Sequence, residues 1–77
     1  MKAQKMDSFT AVGIAEGFIE SDSFEEILSA WATIAHTGIH RNLQGFFGRT
    51  LEAIVEQGLV DWEGNIFPEN ANTTRYK

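Results

Sequence analysis

Residues 23–39 read Ser23-Phe24-Glu25-Glu26-Ile27-Leu28-Ser29-Ala30-Trp31-Ala32-Thr33-Ile34-Ala35-His36-Thr37-Gly38-Ile39, and they decide the fold class. Ser23 followed three residues later by Glu26 is a capping box: the serine oxygen accepts a free N–H of the first turn, and the glutamate reaches back. Glu25 and Glu26 also place negative charge at the positive end of the helix dipole. Phe24, Ile27, Leu28, Trp31, Ile34 and Ala35 recur at helical spacing and form one apolar stripe. Gly38 followed by Ile39 is the glycine-plus-apolar pattern of a Schellman stop. The segment predicts a helix with both ends marked.

The reading extends in both directions. Upstream, Ala11, Ile14, Ala15, Phe18 and Ile19 share a face, with Glu16 and Glu20 opposite, and predict a first helix over Ser8–Glu20. Asp7 or Ser8 supplies its N-cap. Gly13 and Gly17 weaken it by about 1 kcal/mol each relative to alanine. Downstream, Leu43, Phe46, Phe47, Thr50, Leu51, Ile54 and Val55 keep helical phase and predict a third helix over 42–57, closed by Gly58 and Leu59. Gly45 and Gly48 lie inside it. The phase favours one continuous helix; the glycine cost favours a break at Gly48 with Thr50 as a new N-cap. Leu59–Phe67, with apolar arms around Glu63-Gly64-Asn65, predicts a hairpin that Pro68 ends. Residues 69–77, rich in Asn and Thr, read as a frayed tail. The expected architecture is mainly α: a compact three-helix domain with a short C-terminal β-hairpin, ordered over residues 8–67.

Composition narrows the function. A chain of 77 residues has room for one domain, and a core of that size supplies only about 3–5 kcal/mol. There is no cysteine, hence no disulfide framework and no thiolate metal site. Its absence fits a reducing, cytoplasmic setting. The net charge of −5 is unevenly spread. From Asp7 to His40 there are six acids and no Lys or Arg. Lys2 and Lys5 precede that stretch, Arg41 and Arg49 follow it, and Arg75 and Lys77 close the chain. No basic stripe exists, so nucleic acid is not an expected partner. Asp7 and Glu16 bracket the apolar stretch behind Lys2 and Lys5, which argues against a signal peptide. The longest uncharged run, Ile27–His40, is too short and too polar to span a bilayer, so no membrane is expected either.

Candidate chemistry is thin. His36 and His40 are four apart, a spacing that on one helix could hold a metal. Gly38 lies between them and no nearby acid completes a ligand set, so they read as surface or capping histidines. No G-x-S-x-G, Walker loop or G-x-G-x-x-G occurs, so neither an enzyme nor a cofactor is expected. Gly45-Phe46-Phe47-Gly48 has the outline of a KH-domain GXXG loop, but two phenylalanines suit a core face better than a phosphate clamp. The third helix could instead be the reading helix of a helix-turn-helix, with Arg41 and Arg49 toward DNA; equally, Arg49 could pair with Glu52 or cap a carbonyl. Gly45, Gly48 and Glu52 lie opposite the Phe46–Ile54 stripe. Such a patch lets a backbone approach closely, either the first helix of the same chain or another protein. Trp62, in the expected hairpin, is the leading candidate for an exposed aromatic anchor, or else caps one end of the helices.

The stretch Leu43-Gln44-Gly45-Phe46-Phe47-Gly48-Arg49-Thr50, followed by Leu51–Gly58 and Leu59, resembles a family of small phage and prophage proteins of unknown function. Their shared core is Leu-Gln-Gly-x-[Phe/Tyr]-Gly-Arg-Thr. The resemblance covers Glu25 to Leu59, and His40-Arg41-Asn42 stands where that family carries a tryptophan. It implies an origin in a phage or mobile element and no catalytic residue.

These readings converge on a non-enzymatic, phage-type accessory protein that binds and blocks a host or defence factor. An acidic surface of Glu16, Glu20, Glu25, Glu26, Glu52 and Glu56 would meet a basic host-protein surface. Gly45, Gly48, Arg49 and Trp62 would complete the contact. The alternatives are a helix-turn-helix regulator, or a homodimer or larger assembly built through the Gly45/Gly48 face.

Overall fold

The computed structural model describes residues 1–71. It contains three α-helices, α1 (Ser8–Glu16), α2 (Phe24–Thr37) and α3 (Gly45–Glu56), with 3₁₀ turns at Ile39–Asn42 and Pro68–Asn70. Among the described residues the protein is mainly helical, with three α-helices as the periodicity predicts. Of the expected tail, residues 72–77 lie outside the described residues. Asn70 is tied back to the end of α3, its Nδ2 donating to the Gly58 carbonyl at 2.6 Å.

α2 is the centre of the molecule. Leu28, Ser29, Ala30, Trp31, Ala32, Ile34 and Ala35 are all buried, so the helix is covered on more than the one predicted stripe. The alanines make this possible, because small side chains let neighbouring backbone come close. α1 lies nearest to α2 and contributes Ala11 and Ile14 to the core. α3 docks through larger groups: Phe47 and Leu51 are buried, and the Phe47 ring lies 6.1 Å from that of Trp31. Leu59, Val60 and Ile66 close the core beyond α3.

The helix ends show how local sequence sets the layout. Ser23 Oγ accepts from Glu26 N at 3.1 Å, as the capping box predicts. Glu26 reaches further back than expected: its Oε1 accepts from the Asp22 amide at 3.1 Å and from Ser21 Oγ at 2.9 Å. Gly38 adopts φ +74° and closes α2 with one bond from its N–H to the Ile34 carbonyl, an αL stop and not the full Schellman pair. The full pair forms at α3, where Gly58 N donates to Val55 O and Leu59 N to Ile54 O.

Three expectations need correction. The first helix stops at Glu16, four residues early. Gly17 turns left-handed at φ +88°, its N–H donating to Ile14 O and that of Phe18 to Gly13 O, a second complete Schellman stop. The third helix starts at Gly45, because Ile39–Asn42 forms a separate 3₁₀ turn and Leu43 is extended. From Gly45 it runs unbroken through Gly48, and Thr50 starts nothing new.

The C-terminal hairpin does not form: among the described residues there is no strand. Val60 and Ile66 make a single antiparallel bridge, flanked by Asp61 N to Asn65 O and Phe67 N to Leu59 O. A side-chain-held turn keeps it short, and a second segment pairs along the far side. Asp61 Oδ1 accepts from the amides of Glu63 and Asn65, which curls the chain into a side-chain-held turn. The other edge is taken by residues 1–3: Lys2 bridges Asn65, Ile66 N donates to Met1 O, and Ala3 N donates to Gly64 O.

Candidate functional site

The connection from α1 to α2 makes the most distinctive surface. Phe18 is 84% exposed, Phe24 45% and Ile27 39%. Periodicity assigns all three to core faces. The cause of the difference is the early stop. After Gly17 the chain doubles back, and Ile19 in place of Phe18 packs onto α1. Ile19 Cδ1 would lie only 2.5 Å from a Cβ placed on Gly13, so the contact relies on that glycine. Phe18 is left pointing outward. Glu16, Glu20, Asp22 and Glu25 of the same stretch are exposed too, and no Lys, Arg or His occurs between residues 16 and 27. Glu26, the remaining acid there, is engaged in the cap. The segment thus combines exposed apolar groups with exposed acids and no cation of its own, which suits a partner with apolar and cationic groups together.

The α3 face is different. Glu52 and Glu56 are exposed on the same helix as Arg49, so α3, the supposed DNA-reading helix, carries more negative than positive charge. The Arg49 guanidinium folds over Gly45, its nitrogen 3.1 Å from where a Cβ would stand. Around Gly48 no atom lies within 4 Å of a built Cβ. Neither glycine is contacted by α1, so intramolecular close packing does not explain them. Gly48→Ala is therefore expected to stabilise the isolated chain by about 1 kcal/mol, the difference in helix propensity. In a domain of this size that is a rise of roughly 4–8 °C in thermal midpoint. A fall in the midpoint would show that the glycine is held by a contact.

Trp62 is 46% exposed, and its ring lies 5.7 Å from that of His40. It thus both covers His40 and shows an edge to solvent. The Nδ1 of His40 is buried with no hydrogen-bond partner. His36 lies in the last turn of α2, and the Gly64 turn packs against it, a Cβ on Gly64 falling 3.5 Å from His36 Cβ. The two histidines thus face different surroundings. No group of three or more metal-ligating side chains gathers among the described residues. No helix among them is long and apolar enough to cross a membrane.

Sequence reasoning missed residues 1–6. Besides the two bridging bonds, Gln4 N donates to Ser29 Oγ at 2.9 Å, which satisfies a serine buried completely in α2. The segment thereby forms one wall of a cleft of about 260 Å³, opposite Thr33, His36 and Thr37 of α2 and the Glu63–Asn65 turn. Ser29 inside an otherwise apolar run was the visible signal.

Two aspartates shape the acid response. The side chain and then the amide of Thr10 hold Asp7, the N-cap of α1, below its ordinary pKa. At Asp61 burial pushes upward, but hydrogen bonds from the Asn65 amide and side chain, Glu63 and Gly64 outweigh it, and the pKa is lowered. A lowered folded pKa means that the stabilisation is present above the unfolded value near 3.8 and is lost as pH falls through the folded one. Asp61→Asn keeps a turn-forming side chain but cannot titrate. Its melting temperature is expected to fall less than that of wild type between about pH 4 and about pH 2. Parallel curves would show that the Asp61 turn contributes nothing to acid sensitivity.

Comparison with protein-family models, with curated proteins and with solved structures finds no match to this chain.

Proposed function

We propose that this protein is a small phage-type accessory protein that works without catalysis, by covering a basic surface of a host or defence protein. The observation that carries the proposal is the stretch from the end of α1 to the first turn of α2, where Phe18, Phe24 and Ile27 are exposed together with Glu16, Glu20, Asp22 and Glu25 and no cation intervenes. Exposed aromatic anchors supply the short-range binding energy. The acids speed encounter with a cationic surface and disfavour anionic ones. The motif Leu43–Thr50 and its resemblance to phage proteins supply the biological setting.

The test is affinity capture from bacterial lysate on three baits: wild type, Phe18→Ser/Phe24→Ser, and Glu16→Gln/Glu20→Gln/Glu25→Gln. All five positions are exposed, so the variants keep the fold. The expected result is a protein held by wild type, lost at least about tenfold on either variant, as truncation of an interface anchor predicts. Equal capture on all three baits, or none on any, overturns the proposal.

A second reading, self-association through α3, rests on the open space at Gly48. It predicts that wild type sediments as a dimer and that Gly48→Leu sediments as a monomer. A monomeric wild type removes it.

A further inference from the structure

We infer that the cleft between residues 2–6, the C-terminal half of α2 and the Glu63–Asn65 turn is a binding site for a small organic dianion. The protein as a whole is acidic, at −5. Yet two of the four Lys and Arg residues among those described, Lys2 and Lys5, line this one cleft. Around them stand donors of other kinds: the Thr33 hydroxyl, the His36 imidazole, and the side-chain amide of Gln4; the Thr37 hydroxyl also lines the cleft but donates to the Ile34 carbonyl. Ala3 and Met6 add an apolar part to the wall. Cationic and neutral donors beside a short apolar surface match a ligand with an anionic head and a small carbon body.

Size and charge limit the ligand. At about 260 Å³ the cleft lies just below the range of roughly 300–1,000 Å³ typical of drug-sized ligands, so the body is short. Glu63 also lines the cleft. It opposes any anion, so a single negative charge gains little, and a dianion held by both lysines gains more. Two chemistries share these properties, a phosphate monoester and a short dicarboxylate.

The walls are held independently of any ligand. Gln4 N is fixed by Ser29 Oγ, Ala3 N by the Gly64 carbonyl, and the Gly64 turn by Asp61. The site is therefore assembled before binding, which keeps its ordering cost low. The patch of the proposed protein contact sits at the other end of α2, around Phe24, so the two sites are separable.

The experiment is a titration of the full chain, followed by amide shifts of Ala3, Gln4, Gly64 and Asn65 in NMR spectra at constant ionic strength. The probes are glycerol 3-phosphate and succinate, with chloride as the control. Saturable shifts confined to the cleft are expected for at least one organic probe and not for chloride. Lys2→Gln/Lys5→Gln is expected to weaken that probe at least fivefold. Both lysines are exposed, so the variant folds. Glu63→Gln is expected to tighten it. A response to glycerol 3-phosphate alone assigns a phosphate ligand; one to succinate alone assigns a dicarboxylate; a response to both assigns the shared dianion chemistry. Linear shifts for every probe, or saturable ones that the lysine variant leaves unchanged, overturn the inference.

Discussion

Phe47→Ala is expected to unfold most of the protein at room temperature. Phe47 is 2% exposed and links α3 to α2 through Trp31. Truncating a buried phenylalanine costs about 3–5 kcal/mol. A core in a domain this small supplies about the same amount in total. The cooperative urea transition should therefore disappear or begin without a native baseline. Phe46 is the control. It is 44% exposed and meets Phe47 edge-on at 4.8 Å. Losing such a ring pair costs only about 0.5–1.5 kcal/mol beyond the small area involved, so Phe46→Ala should still melt cooperatively. Equal damage from both variants would mean that the inward and outward assignments on α3 are wrong.

Helical periodicity alone does not separate those two phenylalanines. Both fall on the same stripe, and only the registry of α3 against Trp31 decides which is covered. Phe18 is a similar case, but there the deciding signal was local. Gly17-Phe18 is the same glycine-plus-apolar stop as Gly38-Ile39 and Gly58-Leu59. Reading Gly17 only as a weak helix former hid its role as a C-cap, and with it the exposure of Phe18. The start and end of α2, the N-cap of α1 as one of Asp7 and Ser8, and the continuity of α3 through Gly48 were legible, because each depends on bonds within a few residues.

What was not legible depends on distant pairing. The hairpin pattern around Glu63-Gly64-Asn65 is real in sequence, yet it closes to a single bridge, and residues 1–3 from the far end of the chain pair along its opposite edge. Nothing in the spacing of Leu59–Phe67 announces that second partner. The acidic residues of the candidate surface were visible as a charge run, but the run also contains Glu26, whose carboxylate the cap consumes. Trp62 stood out by residue type, whereas Phe18 is the more exposed aromatic. The cleft was invisible for the same reason as the bridges, since Lys2 and His36 meet only after folding.

Ser29→Ala tests whether that long-range pairing is held as the structure indicates. Ser29 is completely buried, and its oxygen accepts from the Gln4 amide at 2.9 Å across 25 positions of sequence. Alanine keeps the helix propensity of α2, and even improves it. It removes a side-chain hydrogen bond that anchors residues 1–6 and leaves an amide without its partner. The cost expected is about 1–3 kcal/mol. The location of the change distinguishes this from general core damage. Hydrogen exchange should quicken more at Ala3, Gln4 and Ile66, whose amides depend on the position of this segment, than at Leu51 in the core of α3, which follows only the global loss of stability. If instead exchange quickens everywhere in proportion to the lost stability, Ser29 is one more packing residue. If Gln4 does not respond at all, the segment is held by its bridge to Asn65 alone. The variant also separates geometry from charge in the cleft. Lys2 and Lys5 are both still present, so any weakening of dianion binding in Ser29→Ala reports the loss of a positioned wall.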